Sequence, residues 1–184
     1  MNQRRVAVVL WLVIIASALL IYFLDRDALR QLLLGLRNSP PAWMYAVYLA
    51  LGCLRGFTLV PVTYLVLGGM LVMPPIPLYV LTLVGIVASS AAVYYFAAAM
   101  RFDELFERRY PAHIARLRAL MQRRELPVVI AWSFLPIAPT DLVCYVCGAL
   151  EVDLKKCLLG VTLGEGAICA IYVFIGGQAL SWLR

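Results

Sequence analysis

Three ionisable side chains, Arg55, Asp141 and Glu165, lie within stretches apolar enough for a bilayer interior. An arginine stays charged there and its planar fork suits a phosphate, so Arg55 is the candidate ligand for an anionic headgroup. Low dielectric disfavours the charged form of a carboxylate, which makes Asp141 and Glu165 candidates for proton coupling. Asp141 follows Pro136 and Pro139, two residues that a straight spanning helix has little use for. Prolines free backbone carbonyls, and a half-helix starting after Pro139 would turn its positive end toward an anion, adding Pro139 to the substrate-binding candidates. A structural alternative is that Arg55 and Asp141 only neutralise one another.

The segments that must position these groups belong to a membrane protein. Of 184 residues, 64% are hydrophobic and 14% charged, with mean hydropathy +0.90, outside the range of soluble domains. Length suits one domain of four to six hydrophobic segments at about 20 residues per spanning helix. The net charge of +6 reports orientation and contact with anionic lipid, and no basic run interleaved with aromatics points to nucleic acid. Cys144 and Cys147 have C-x-x-C spacing but sit in an apolar segment, and the single histidine, His113, lies elsewhere. The five cysteines read as small buried hydrophobes, with no metal site and no cofactor.

Residues 1–40 hold an anchor and an interfacial helix. Val6 to Leu24 is uninterrupted and preceded by Arg4 and Arg5, with no small-residue cleavage site, so a retained anchor with a cytoplasmic N-terminus is expected. Asp25 to Pro41 alternates leucines and arginines at helical spacing, as an interfacial helix does. Residues 42–73 are interrupted by Arg55-Gly56, Pro61 and Gly68-Gly69, and are too few for two spans. A hairpin entering and leaving on one face fits, with Arg55 near its tip and Pro61 shaping it; a single tilted helix with Arg55 snorkelling is the alternative. Residues 77–100 form the cleanest span, with a small-residue face compatible with close helix packing and with a homo-oligomer. Residues 101–126 carry seven arginines against four carboxylates and read as a cytoplasmic linker. Residues 127–150, broken by Pro136 and Pro139 and ending near Gly148, form a second hairpin, and residues 157–180 a last span. The fold expected is all-α: about three spanning helices plus two opposed re-entrant hairpins, an inverted-repeat, transporter-like plan.

The run Pro136-x-x-Pro139-x-Asp141-Leu-Val-x-Tyr145-x-x-Gly148, followed by a lysine-containing turn and Leu159-Gly160-x-x-x-Gly164, resembles the DedA / VTT-domain superfamily of SNARE-associated Golgi-type membrane proteins. The resemblance covers roughly residues 51–176 and makes 41–184 the membrane domain. It implies two opposed re-entrant hairpins and a role in moving phospholipid or undecaprenyl phosphate across the bilayer, with acidic and arginine residues at the hairpins as functional groups. Asp141 matches the motif directly and Arg55 the basic position near the first hairpin. Ser133 stands where many members carry arginine, so it joins the substrate-binding candidates, and the family's carboxylate near the first hairpin has no match in residues 51–73. Glu165 is the residue able to replace it in space.

The expected function is a lipid flippase or scramblase for phospholipid or polyprenyl-phosphate headgroups, with protons and membrane lipids as partners, in the bacterial inner membrane. A proton-dependent exchanger of small solutes or ions, and a scaffold whose polar residues only fix the fold, are the alternatives. An enzyme is the weakest reading: H-E-x-x-H and G-x-S-x-G are absent, and His113 is remote from the membrane segments.

Overall fold

The computed structural model describes residues 39–100, 111–135 and 140–176, together with Gln31 and Gly35; within 111–123 several side chains are left undescribed. The expected anchor, most of the interfacial helix, residues 101–110 of the linker, Pro136, Pro139 and the end of the last span lie outside these residues. Among the described residues the fold is all-helical, with no strand. The helices are α1 (Pro41–Thr58), α2 (Val62–Gly69), α3 (Pro75–Met100), α4 (Pro111–Ser133), α5 (Thr140–Ala149) and α6 (Leu154–Ala170), which continues as a π-helical turn, Ile171–Gly176.

Among the described residues two helices are long and apolar enough to cross a membrane: α3 with 26 residues, and α6 with its π-helical continuation, 23 residues in all. At 1.5 Å per residue these reach about 39 Å and about 34 Å, against a hydrocarbon core of about 30 Å. Large apolar side chains remain on the outside, among them Trp43, Leu54, Ile76, Val80, Tyr95, Leu159 and Ile175. In water such a surface would be a liability. In lipid it costs nothing.

The helices pack in two similar halves. Pro61 begins α2 after a turn at Leu59, whose left-handed φ of 55° ends α1. Helix α2 then runs back along α1, with Leu65 beside Gly52 and Gly69 against Tyr48. Helix α3 runs parallel to α1: Gly52 meets Gly85, and Tyr48 hydrogen-bonds Thr82, 34 positions on, at 2.7 Å. The second half repeats the scheme. The end of α4 runs parallel to α6, where Val129 meets Gly160, Ser133 meets Gly164, and Lys156 pairs with Glu125, 31 positions back. The halves point in opposite directions, because Tyr79 reaches Phe174 while Leu83 reaches Gly166, so α3 and α6 are antiparallel.

Two helix boundaries have a local cause in the sequence. The break before the second turn-back falls at Arg124 (φ −146°, ψ 47°), inside α4. Pro127 has no N–H and its ring clashes with the carbonyl four residues earlier, so the helix has to break upstream of it. Helix α6 begins at Leu154 because Asp153 caps it, accepting from the Lys156 amide at 3.1 Å. Gly148, expected as a shaping residue, lies against the backbone carbonyl of Tyr94, so a side chain there would push α5 away from α3. The Tyr94 hydroxyl donates to the carbonyl of Val152 at 2.5 Å, tying α3 to the turn beyond α5.

Candidate functional site

Arg55 lies in the last turn of α1 and Asp141 in the first turn of α5. A cation at a helix C-terminus and an anion at an N-terminus are each favoured by the helix dipole. Both helices run parallel to α3, so the end of α1 meets the start of α5 and the two charges face one another. Glu165 comes from the middle of α6, where flanking glycines admit close neighbours. A Cβ at Gly164 would stand 2.7 Å from that of Ser133 and 2.8 Å from the Ile130 carbonyl oxygen.

The three residues form one buried cluster. Arg55 Nη1 donates to Asp141 Oδ2 at 3.2 Å and Nη2 to Glu165 Oε2 at 2.8 Å. Relative exposures of the three side chains are 5%, 1% and 3%, so the pairs are shielded from solvent. Gly56 lets Asp141 approach: a Cβ there would sit 3.1 Å from Oδ1 and 2.7 Å from Val93 Cγ2. The Tyr145 hydroxyl, 3.4 Å from the Gly56 carbonyl, donates across the same contact, and Thr58 donates to the Arg55 carbonyl at 2.8 Å.

The cluster is not saturated. Arg55 Nε and Asp141 Oδ1 have no hydrogen-bond partner among the described residues, although buried polar atoms nearly always have one. One guanidinium also cannot balance two ionised carboxylates, and an unpaired buried charge is costly. Beside the cluster opens a cleft lined by Pro61 and Thr63 from the first turn-back, Ser133 and Thr140 from the second, and Glu165 and Ile168 from α6. Its free space is about that of one water molecule.

Arg55, Asp141 and Glu165 therefore converge, and Ser133 and Pro61 line the adjoining cleft. Gly148 lies away from the cluster, at the α3–α5 contact, and Pro136 and Pro139 lie outside the described residues. The VTT domain matches residues 59–178, well over half of the chain. The chain belongs to the VTT-domain family. Asp141, Glu165, Ser133 and Gly148 fall inside the matched VTT domain, and Arg55 lies just before it. VTT-domain membership and two apolar membrane-length helices make this a membrane protein. No curated protein and no solved structure matches the chain.

Thr140, whose hydroxyl faces Glu165, and Gly56 are site residues that sequence reasoning did not single out. A glycine directly after an intramembrane arginine is the signal that marks the second. Cys144, Cys147, Cys157 and Cys169 are free and buried in the core, and Cys53 is half-buried. Among the described residues no group of three or more His, Cys, Asp or Glu side chains is arranged to hold a metal.

Proposed function

We propose that this VTT-domain protein moves lipid headgroups bearing a phosphate across the bilayer, phospholipid or polyprenyl phosphate, with proton coupling at the carboxylates. The observation that carries this reading is the shared guanidinium: Arg55, buried between Asp141 and Glu165 beside a cleft, with no partner for Nε among the described residues. A phosphate offers oxygens in the geometry that a guanidinium fork matches, and it can displace either carboxylate. A carboxylate released in low dielectric is neutralised by a proton, so headgroup entry and proton uptake are linked. Glu165 lines the cleft, and in this reading it is the carboxylate that exchanges that proton.

In this reading α1–α2 and the end of α4 with α5 are re-entrant hairpins whose tips meet at membrane depth, while α3, α6 and the N-terminal anchor span the bilayer, with the N-terminus in the cytoplasm of a bacterial inner membrane. Broken helices lining a cavity at the midplane are how many secondary transporters build a substrate site. The antiparallel halves support that arrangement.

The test is headgroup translocation by purified protein in proteoliposomes, with and without a proton gradient. Asp141→Asn is expected to abolish translocation while the protein stays folded by size-exclusion chromatography. Unchanged translocation by that variant removes Asp141 from the mechanism. Gradient-driven uptake of a soluble substrate with no lipid movement would favour a small-solute exchanger instead.

A further inference from the structure

Glu165 has a second set of neighbours that the ion pairs leave unused. It lines the cleft together with Ser133, Thr140 and Thr63. Among the described residues the polar side chains of this lining are three hydroxyls and one carboxylate, all oxygen ligands. Ser133 is 1% exposed, and its Oγ has no hydrogen-bond partner among the described residues. A hydroxyl buried to that degree ordinarily has a partner, and here it borders a space the size of one water molecule.

Charge narrows the occupant further. With both carboxylates ionised the cluster carries one negative charge beyond what Arg55 neutralises. A monocation beside Glu165 closes that gap, and a dication would overshoot it. Soft transition metals prefer sulfur and imidazole ligands, and neither lines the cleft among the described residues. Hard oxygen ligands replacing a hydration shell are the usual means of holding an alkali cation. The small space favours a smaller alkali ion over a larger one.

We propose that a sodium ion binds in this cleft on the oxygens of Glu165, Ser133 and Thr140, taking the place that a proton holds in its absence. Binding itself stands on the cleft alone; its coupling to headgroup movement rests on the reading of Arg55 as the phosphate ligand. Sodium would then set the charge state of Glu165 and so the hold of α6 on Arg55.

The experiment is thermal unfolding of the purified full-length protein in detergent, in sodium, potassium or N-methylglucamine chloride at equal ionic strength. Sodium at ten times its dissociation constant favours the folded state about elevenfold, a rise in Tm of about 3–6 °C for a chain of this length. Ser133→Ala is expected to weaken the sodium response about tenfold in concentration, the worth of one good oxygen contact. Glu165→Gln is expected to lose it. Equal Tm values in the three salts overturn the proposal, as does a Ser133→Ala protein that responds like the parent; the serine variant decides the matter if the glutamate variant does not fold. Translocation in the same salts separates the two readings. Sodium binding without headgroup movement refutes the flippase and leaves the cation site, whereas movement indifferent to sodium refutes the coupling and leaves the flippase.

Discussion

Replacing Arg55 with methionine tests whether the buried cluster holds the fold together, and the structure sets the size of the effect. The substitution keeps much of the apolar stem and removes both ion pairs, leaving Asp141 and Glu165 buried without a cation. Breaking a buried pair by removing one partner costs about 3–5 kcal/mol. For a chain of this length that lowers Tm by about 6–20 °C. Replacing all three groups at once is different, because well-packed hydrophobic residues of similar volume do as well as a buried pair or better. The variant Arg55→Met with Asp141→Leu and Glu165→Met is therefore expected to recover most of the lost stability. Tryptophan fluorescence melts of the purified variants measure both effects, and proteoliposomes measure translocation, which the triple variant should lack. A single variant that melts within 2 °C of the parent (~1 kcal/mol or less) refutes the structural reasoning. A triple variant that folds and still moves headgroups refutes the functional reasoning.

Gly148→Ala forces a methyl onto the Tyr94 carbonyl and should cost about 1–3 kcal/mol, seen as a lower Tm; an unchanged melt would mean that α5 and α3 part easily. Glu151 is exposed and holds φ 55°, so Glu151→Gly relieves left-handed strain and is expected to raise stability by about 0.5–1 kcal/mol, net of glycine's greater entropy loss. A water-soluble maleimide should leave Cys144, Cys147, Cys157 and Cys169 unmodified in the folded protein and reach all five cysteines once it is denatured, as read by mass spectrometry. Labelling of Cys144 or Cys169 in the folded state would contradict their burial.

Charge in the wrong place was the legible part of the sequence. Arg55, Asp141 and Glu165 stand out because hydrocarbon makes each of them expensive, and that same cost brings them within hydrogen-bond reach of one another. Glu165, 110 positions beyond Arg55, reaches its guanidinium from α6, a relation that only the packing of α6 reveals. Proline marked the interruptions but not where they act: Pro127 moves its break three residues upstream, to Arg124. Thr140 and Gly56 were harder to read, since a threonine or a glycine in an apolar segment is common and gains meaning only from what packs against it. The parallel pairing of α1 with α3, and of α4 with α6, depends on contacts more than thirty residues apart, which no local pattern encodes.

A guanidinium shared by two carboxylates on separate helices has a kinetic side. A singly paired arginine must pass through a bare, unneutralised state before it can change partner, and in hydrocarbon that state is a high barrier. Arg55 can let go of Asp141 while Glu165 still holds Nη2, or the reverse. The exchange therefore divides into two steps, each with one anion always in place. An arriving phosphate would find a cation that never stands alone, which keeps the arginine both stable at rest and quick to trade.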